Sequence, residues 1–198
     1  MKGKIFNAQE VQAIINGTKT MFREVIKPYP ILSDDKSYWE FKGVIWAGEN
    51  SSYAKNFGDN AKPVMPDLCP YQVGQKIFCK ERFARSFDSE GNPIAILEAD
   101  GKEERKWRPA QHMKQEHSRL TLEITDIKVE RLQSISQEDC AKEGIAFGMW
   151  QANGRFFSAP GEPIEIGFAK NWDATHKKPE EKFEANPFVW VVDFKINK

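Results

Sequence analysis

The chain has 198 residues, in which 29 lysines and arginines balance 29 aspartates and glutamates, so its formal net charge is zero. That balance excludes a protein that coats nucleic acid or an anionic membrane through a general excess of positive charge, and leaves a local patch or pocket for any such role. With 40% hydrophobic and 29% charged residues, the chain is globular rather than disordered and long enough for one domain.

Asn7-Ala8-Gln9-Glu10 has the form of a capping box, and Val11, Ile14 and Ile15 follow at helical spacing until Asn16-Gly17 stops the pattern. A helix over Ala8–Ile15 is expected, then the turn Gly17-Thr18-Lys19-Thr20 and a strand over 21–26. Residues 28–72 are punctuated by Pro28, Pro30, Pro63, Pro66 and Pro70. They are expected to form an insertion with its own hairpin, Tyr38 to Phe41 against Val44 to Trp46, because a structureless stretch of this length is unusual in a compact domain.

Strands are predicted over 77–80, after the turn at Gly74, and over 94–97, after Gly91-Asn92-Pro93; residues 105–108 are expected to continue the sheet. The clearest β pattern covers 119–132. Leu120, Leu122 and Ile124 alternate with polar residues, and then the apolar phase moves to Ile127 and Val129. A one-residue slip turns side chains to the other face, so a bulge or bend is predicted at Thr125-Asp126. Long bent strands of this kind close small barrels.

Ser136 is placed to cap a short helix that Gly144 ends. A second insertion, 147–162, is rich in glycine and aromatic residues. Ile164, Phe168 and Trp172 at i, i+4 and i+8 predict a helix over 164–174. The apolar run 188–194 fits a central strand. This order is not a repeating βαβ series and predicts an α+β fold with mostly antiparallel strands.

The odd cysteine count (Cys69, Cys79, Cys140) without a C-x-x-C pair points to neither a disulfide framework nor a zinc site. His112 and His117 are five apart and His176 is remote, so no metal is expected, and no cofactor. The N-terminus lacks an apolar leader and no stretch approaches membrane-spanning length, so a cytoplasmic setting is expected.

Lys19, Arg23 and Lys27 fall on one face of an extended chain, which suits a phosphate backbone or a charge-protected strand edge. Residues 102–119 interleave Arg105, Arg108, Lys114 and Arg119 with Trp107, His112 and His117. That is the composition of a single-strand nucleic-acid groove, and equally of a solvated loop around one buried tryptophan. Trp172 can pack in the core against Trp190 or Phe194, or stack a base.

Gly17-Thr18-Lys19-Thr20 after a short helix resembles the start of the G-x-K-x-x-T-x-R motif of ASCH domains. Val129-Glu130-Arg131-Leu132 and Ile135 to Ile145 resemble that family's long strand and acidic helix. Phage and prophage proteins of the same fold are similar at 74–83, Trp107-Arg108-Pro109, His112-Met113, 118–125, Trp172-Asp173 and Asn186 to Val192. The resemblance implies one PUA-like domain over 1–198, a small, mostly antiparallel β-barrel with short flanking helices and insertions at about 30–65 and 146–165. It also implies a prophage-type origin and an RNA or modified-nucleotide ligand, contacted by Lys19, Thr20, Arg23, Lys27, Trp107, Arg108, His112, Arg119 and Trp172.

Some ASCH proteins are amidohydrolases acting on N4-acetylcytidine through a Lys, a Thr and a Glu, and others have been linked to RNA cleavage. Lys19 and Glu143 fall on that Lys and Glu, as catalytic residues if the chain is an enzyme. The second Thr position holds Phe22, and the motif's Arg position holds Glu24, with Arg23 one residue earlier. A phage-encoded adaptor that binds a host protein through 30–65 is a further expectation.

Overall fold

A computed structural model of the chain describes residues 1–34, 39–41, 44–46, 68–87, 89–90, 93–101, 106–145, 149–152, 155–158 and 163–197. In chain order the strands and helices are β1 (Lys2–Ile5), α1 (Ala8–Ile15), β2 (Met21–Val25), β3 (Ile31–Leu32), β4 (Trp39–Phe41), β5 (Val44–Trp46), β6 (Lys76–Lys80), β7 (Phe83–Phe87), β8 (Pro93–Leu97), β9 (Thr121–Arg131), α2 (Gln137–Lys142), β10 (Met149–Ala152), β11 (Arg155–Ser158), α3 (Ile164–Thr175) and β12 (Phe188–Ile196). The fold is α+β. One five-stranded sheet runs β1-β6-β9-β12-β2, flanked by the ribbons β3-β4-β5, β7-β8 and β10-β11. The pair β1-β6 is parallel and the other sheet pairs are antiparallel.

The local signals act as their chemistry dictates. Asn7 Oδ1 accepts from the Glu10 amide at 2.9 Å, and Glu10 Oε2 accepts from the Asn7 amide at 2.9 Å, closing the capping box of α1. Ser136 Oγ accepts from the Asp139 amide at 3.1 Å and starts α2. In the β9–β12 ladder, Asp193 faces Asp126 but Phe194 faces Ile124. Thr125 is the extra residue of a bulge, and it returns Ile127 and Val129 to the face already held by Leu122 and Ile124.

β12 is apolar throughout its middle because it is covered on both faces. Trp190, Val192 and Phe194 meet Phe6, Phe22, Leu122 and Ile124 on one side. Val189 and Val191 meet Met21, Leu132, Cys140, Phe168 and Trp172 on the other. Trp172 therefore packs in the layer opposite Trp190 and Phe194, not against them as the sequence suggests.

Two expectations are corrected, and one strand is new. Among the described residues no ladder joins β1 to β2, so the sheet is mixed and open rather than a closed barrel. Its two edges nevertheless meet through side chains. Lys4 Nζ lies 2.5 Å from Glu24 Oε2, and the Phe6 and Phe22 rings pack edge to face at 6.0 Å. Laid flat, β1 and β2 would stand about 19 Å apart, four strand spacings, so these contacts require a strongly curled sheet. Of the residues 105–108 expected to continue the sheet, Arg105 lies outside the described residues and 106–108 do not extend it: Arg108 makes a single bridge to Phe83. A strand at Lys2–Ile5, which the sequence does not announce, pairs with β6.

The hairpin of the first insertion is present as β4 against β5. Tyr38, Lys42, Gly43 and 47–67 lie outside the described residues, and with them most of the surface expected to meet a host protein. Among the described residues no helix is long and apolar enough to cross a membrane.

Candidate functional site

The site begins at the end of α1. Asn16 caps the helix and Gly17, at φ +75°, turns the chain back. Lys19 then forms one antiparallel bridge with Glu143, and the Thr20 amide donates to Lys142 O at 2.8 Å. Glu143 is the C-cap of α2, and Gly144 follows at φ +82°. A Cβ at Gly144 would lie 3.2 Å from the Cβ atoms of both Ala13 and Lys19. Only glycine accepts both this backbone and this close approach without strain.

Glu143 is held from both sides. Lys19 Nζ donates to Glu143 Oε2 at 2.8 Å and to the Glu143 carbonyl at 3.0 Å, and lies 3.5 Å from Glu10 Oε1. Arg23 Nη1 donates to Glu143 Oε1 at 3.2 Å, while its Nη2 donates to Asp139 Oδ2 at 3.0 Å and Glu130 Oε2 at 3.4 Å. Lys19, Arg23 and Glu143 are 3%, 6% and 9% exposed, so these bonds form in a medium where charge pairing is strong and an unpaired charge is costly. Arg23 Nε is buried with no hydrogen-bond partner among the described residues.

Burial alone would lower the Lys19 pKa, but the carboxylates of Glu143 and Glu10 outweigh it and hold the ammonium above its ordinary 10.5. Lys19 is therefore a charged donor at neutral pH, not a free amine. Glu10 has two tasks, closing the helix cap with one oxygen and facing Lys19 with the other; the sequence pattern reveals only the first.

These groups line a cavity of about 970 Å³ between the start of α1, β2, the end of α2 and α3. Phe22, Glu24, Phe168, Trp172 and His176 also border it. Among the described residues each lysine or arginine lining it has a carboxylate partner: besides Lys19 and Arg23, Lys4 pairs with Glu24, and Arg82 pairs with Glu98 at 2.6 Å. Glu24 also accepts from Tyr71 Oη at 2.9 Å. Burial would raise the Glu24 pKa, yet Lys4, Tyr71 and Lys2 together hold it below 4.5.

Phe22 stands where the resemblance expects a threonine. Its ring packs on Phe6 at 6.0 Å and Tyr71 at 5.4 Å. Hydrolysis here would need a nucleophile other than the side chain at position 22.

The remaining expected residues divide clearly. Lys19 and Arg23 turn inward together, but Lys27 lies beyond β2 with its side chain half exposed and its Nζ 2.7 Å from Glu181 Oε1. The three do not form one exposed basic face. Thr20 joins the backbone of α2 to β2 beside the cavity. Trp107 is half-buried, with the Arg82 guanidinium 6.0 Å from its ring. Arg108 and His112 are exposed. Arg119 grips the buried Glu81 through Nε at 3.0 Å and Nη2 at 2.9 Å and also pairs with Asp100. No described residue of the 102–119 group borders the cavity.

Cys69, Cys79 and Cys140 are buried free thiols. Among the described residues no three His, Cys, Asp or Glu side chains are grouped to hold a metal.

No family model matches the chain, and no curated protein matches it. Two solved structures are similar to it. A DUF984 protein from Enterococcus faecalis V583 is 9% identical, with 99% of this chain and 80% of that one covered at a TM-score of 0.42. An ASCH domain from Lactobacillus crispatus JV V101 is 12% identical, with 98% and 78% covered at a TM-score of 0.36.

Proposed function

We propose that the chain is a single PUA-like domain that binds a base of RNA, or a modified nucleotide, in the cavity beside Lys19, Arg23 and Glu143. The observation that carries this is a buried carboxylate clasped between two cations on the wall of a cavity with aromatic sides. About 300–1,000 Å³ is the usual size of a small-molecule site, which combines an apolar lining with a few placed polar groups. The curled sheet, with its edges drawn together at Lys4 and Glu24, supports the PUA-like assignment.

Charge narrows the ligand. The cations of the cavity wall are paired with carboxylates, and Asp139 and Glu130 add two more acids behind Arg23. A phosphate brought here would have to displace a carboxylate from its cation. A neutral planar base meets no such opposition. Its N–H groups can donate to the remaining lone pairs of the Glu143 or Glu10 carboxylate while Lys19 keeps its partners and holds Glu143 in place, and the sugar and phosphates stay outside. Recognition of a base splayed from a single strand has this form.

The test is fluorescence anisotropy with labelled single-stranded RNA oligonucleotides, comparing the wild type with Lys19→Met, which keeps an apolar stem of similar length. Saturable binding by the wild type, weakened at least about tenfold in a folded Lys19→Met, is the expected result. Absence of binding to any oligonucleotide would refute the proposal, as would equal binding by the two proteins.

A further inference from the structure

Helix α3 carries a column of rings that stops at the cavity. Phe168, Trp172 and His176 are four residues apart, the last as the helix C-cap, so they stand in succession on one helix face. The Trp172 indole has Phe168 at 5.9 Å on the side of the preceding turn. On the side of the following turn, His176 lies parallel to it within 9°, at 3.8 Å between centroids. The indole N–H donates to Glu181 O at 2.7 Å, and Trp172 is 6% exposed. A ring held in this way has no face left for a base.

His176 differs. It is half-buried, borders the cavity, and has Trp172 as its ring partner on one face among the described residues. Its orientation is fixed: Nδ1 lies 3.0 Å from Trp172 O and 3.1 Å from Thr175 Oγ1. The Thr175 hydroxyl donates to the same carbonyl at 2.9 Å. Both neighbours of Nδ1 thus accept, so Nδ1 carries the hydrogen and Nε2 the lone pair. Burial lowers the His176 pKa, with Lys27 and Lys4 acting in the same direction, against the Trp172 carbonyl and Glu181. The ring is neutral at neutral pH.

We infer that the outer face of His176 is the stacking platform for the base, extending the Phe168–Trp172–His176 column by one ring. This rests on the nucleotide-binding function proposed above and adds the residue that holds the base by its face. Stacking of this kind tolerates any base, because each has a π face, and leaves discrimination to the polar groups around Glu143.

The experiment compares the wild type with His176→Ala, His176→Phe and Glu143→Gln, with melting curves to establish that each is folded. Binding of adenosine, cytidine, guanosine, uridine and an unstructured short RNA is measured by calorimetry at neutral pH. Base stacking is worth enough that truncation should weaken binding at least about fivefold. His176→Ala is expected to do so, while His176→Phe, which keeps a flat ring, stays within about twofold of the wild type. In the wild type, the carbon-bound imidazole protons of His176 should move upfield as ligand is added. Unchanged binding by His176→Ala, with binding lost in Glu143→Gln, would overturn the platform and leave the cavity as the site. Equal losses in His176→Ala and His176→Phe would assign the role to a ring nitrogen and also overturn it. If none of the five probes binds the wild type, the nucleotide function and the platform fall together.

Discussion

At the scale of residues, the site is governed by how each buried charge is matched. Glu143 meets Lys19 with one oxygen and Arg23 with the other. Much of this was legible in the sequence, because Lys19 and Glu143 lie in motifs that resemble a known pair. Arg23 was legible as a cation but not in its direction. Alternation predicts that residues 21, 23 and 25 share a face; it does not say that Met21 and Val25 point into an apolar layer and take Arg23 with them. A buried guanidinium among Asp139, Glu130 and Glu143 is the consequence. Glu24, on the other face, offers a test by pH. Its folded pKa lies below the ordinary carboxylate value, so it contributes stability above that value and loses it as pH falls through the folded pKa. Glu24→Gln should therefore flatten the decline in urea-measured stability below about pH 4.5. Parallel acid limbs for the wild type and the variant would contradict this assignment.

At the scale of elements, local chemistry carried the prediction and long-range pairing did not. The capping box of α1, the Ser136 cap of α2 and the bulge at Thr125 are written in neighbouring residues, and each stands where the pattern places it. β1 is not written that way. Lys2-Gly3-Lys4-Ile5 has little strand character and becomes a strand because β6 supplies parallel partners more than seventy residues away. The basic group at 102–119 misleads for a related reason. Composition gives charge but not destination, and Arg119 is committed to Glu81. The turn after α2 is the element on which the site depends most. Gly144→Ala would force a side chain into left-handed backbone, at about 1–2 kcal/mol, and would crowd Lys19 and Ala13. Lower thermal stability together with weaker ligand binding is expected. A variant as stable as the wild type would contradict the close packing of the Lys19 bridge.

At the scale of the whole molecule, β12 divides the interior into two apolar layers. The cavity opens where α1, β2 and α3 come together at the curled edge of the sheet. The zero net charge of the chain recurs in miniature at the cavity wall, where cations are paired in place. On the proposed reading the site takes a base rather than a phosphate, and its affinity should depend only weakly on salt, because few counterions are released on binding. The most direct test is calorimetric titration of the wild type and Glu143→Gln with a short single-stranded RNA at low and moderate salt. Saturable binding by the wild type, little changed between the two salt concentrations, and loss of that binding in a folded Glu143→Gln are the expected results. A steep fall with salt, or equal binding by both proteins, would contradict the proposed function.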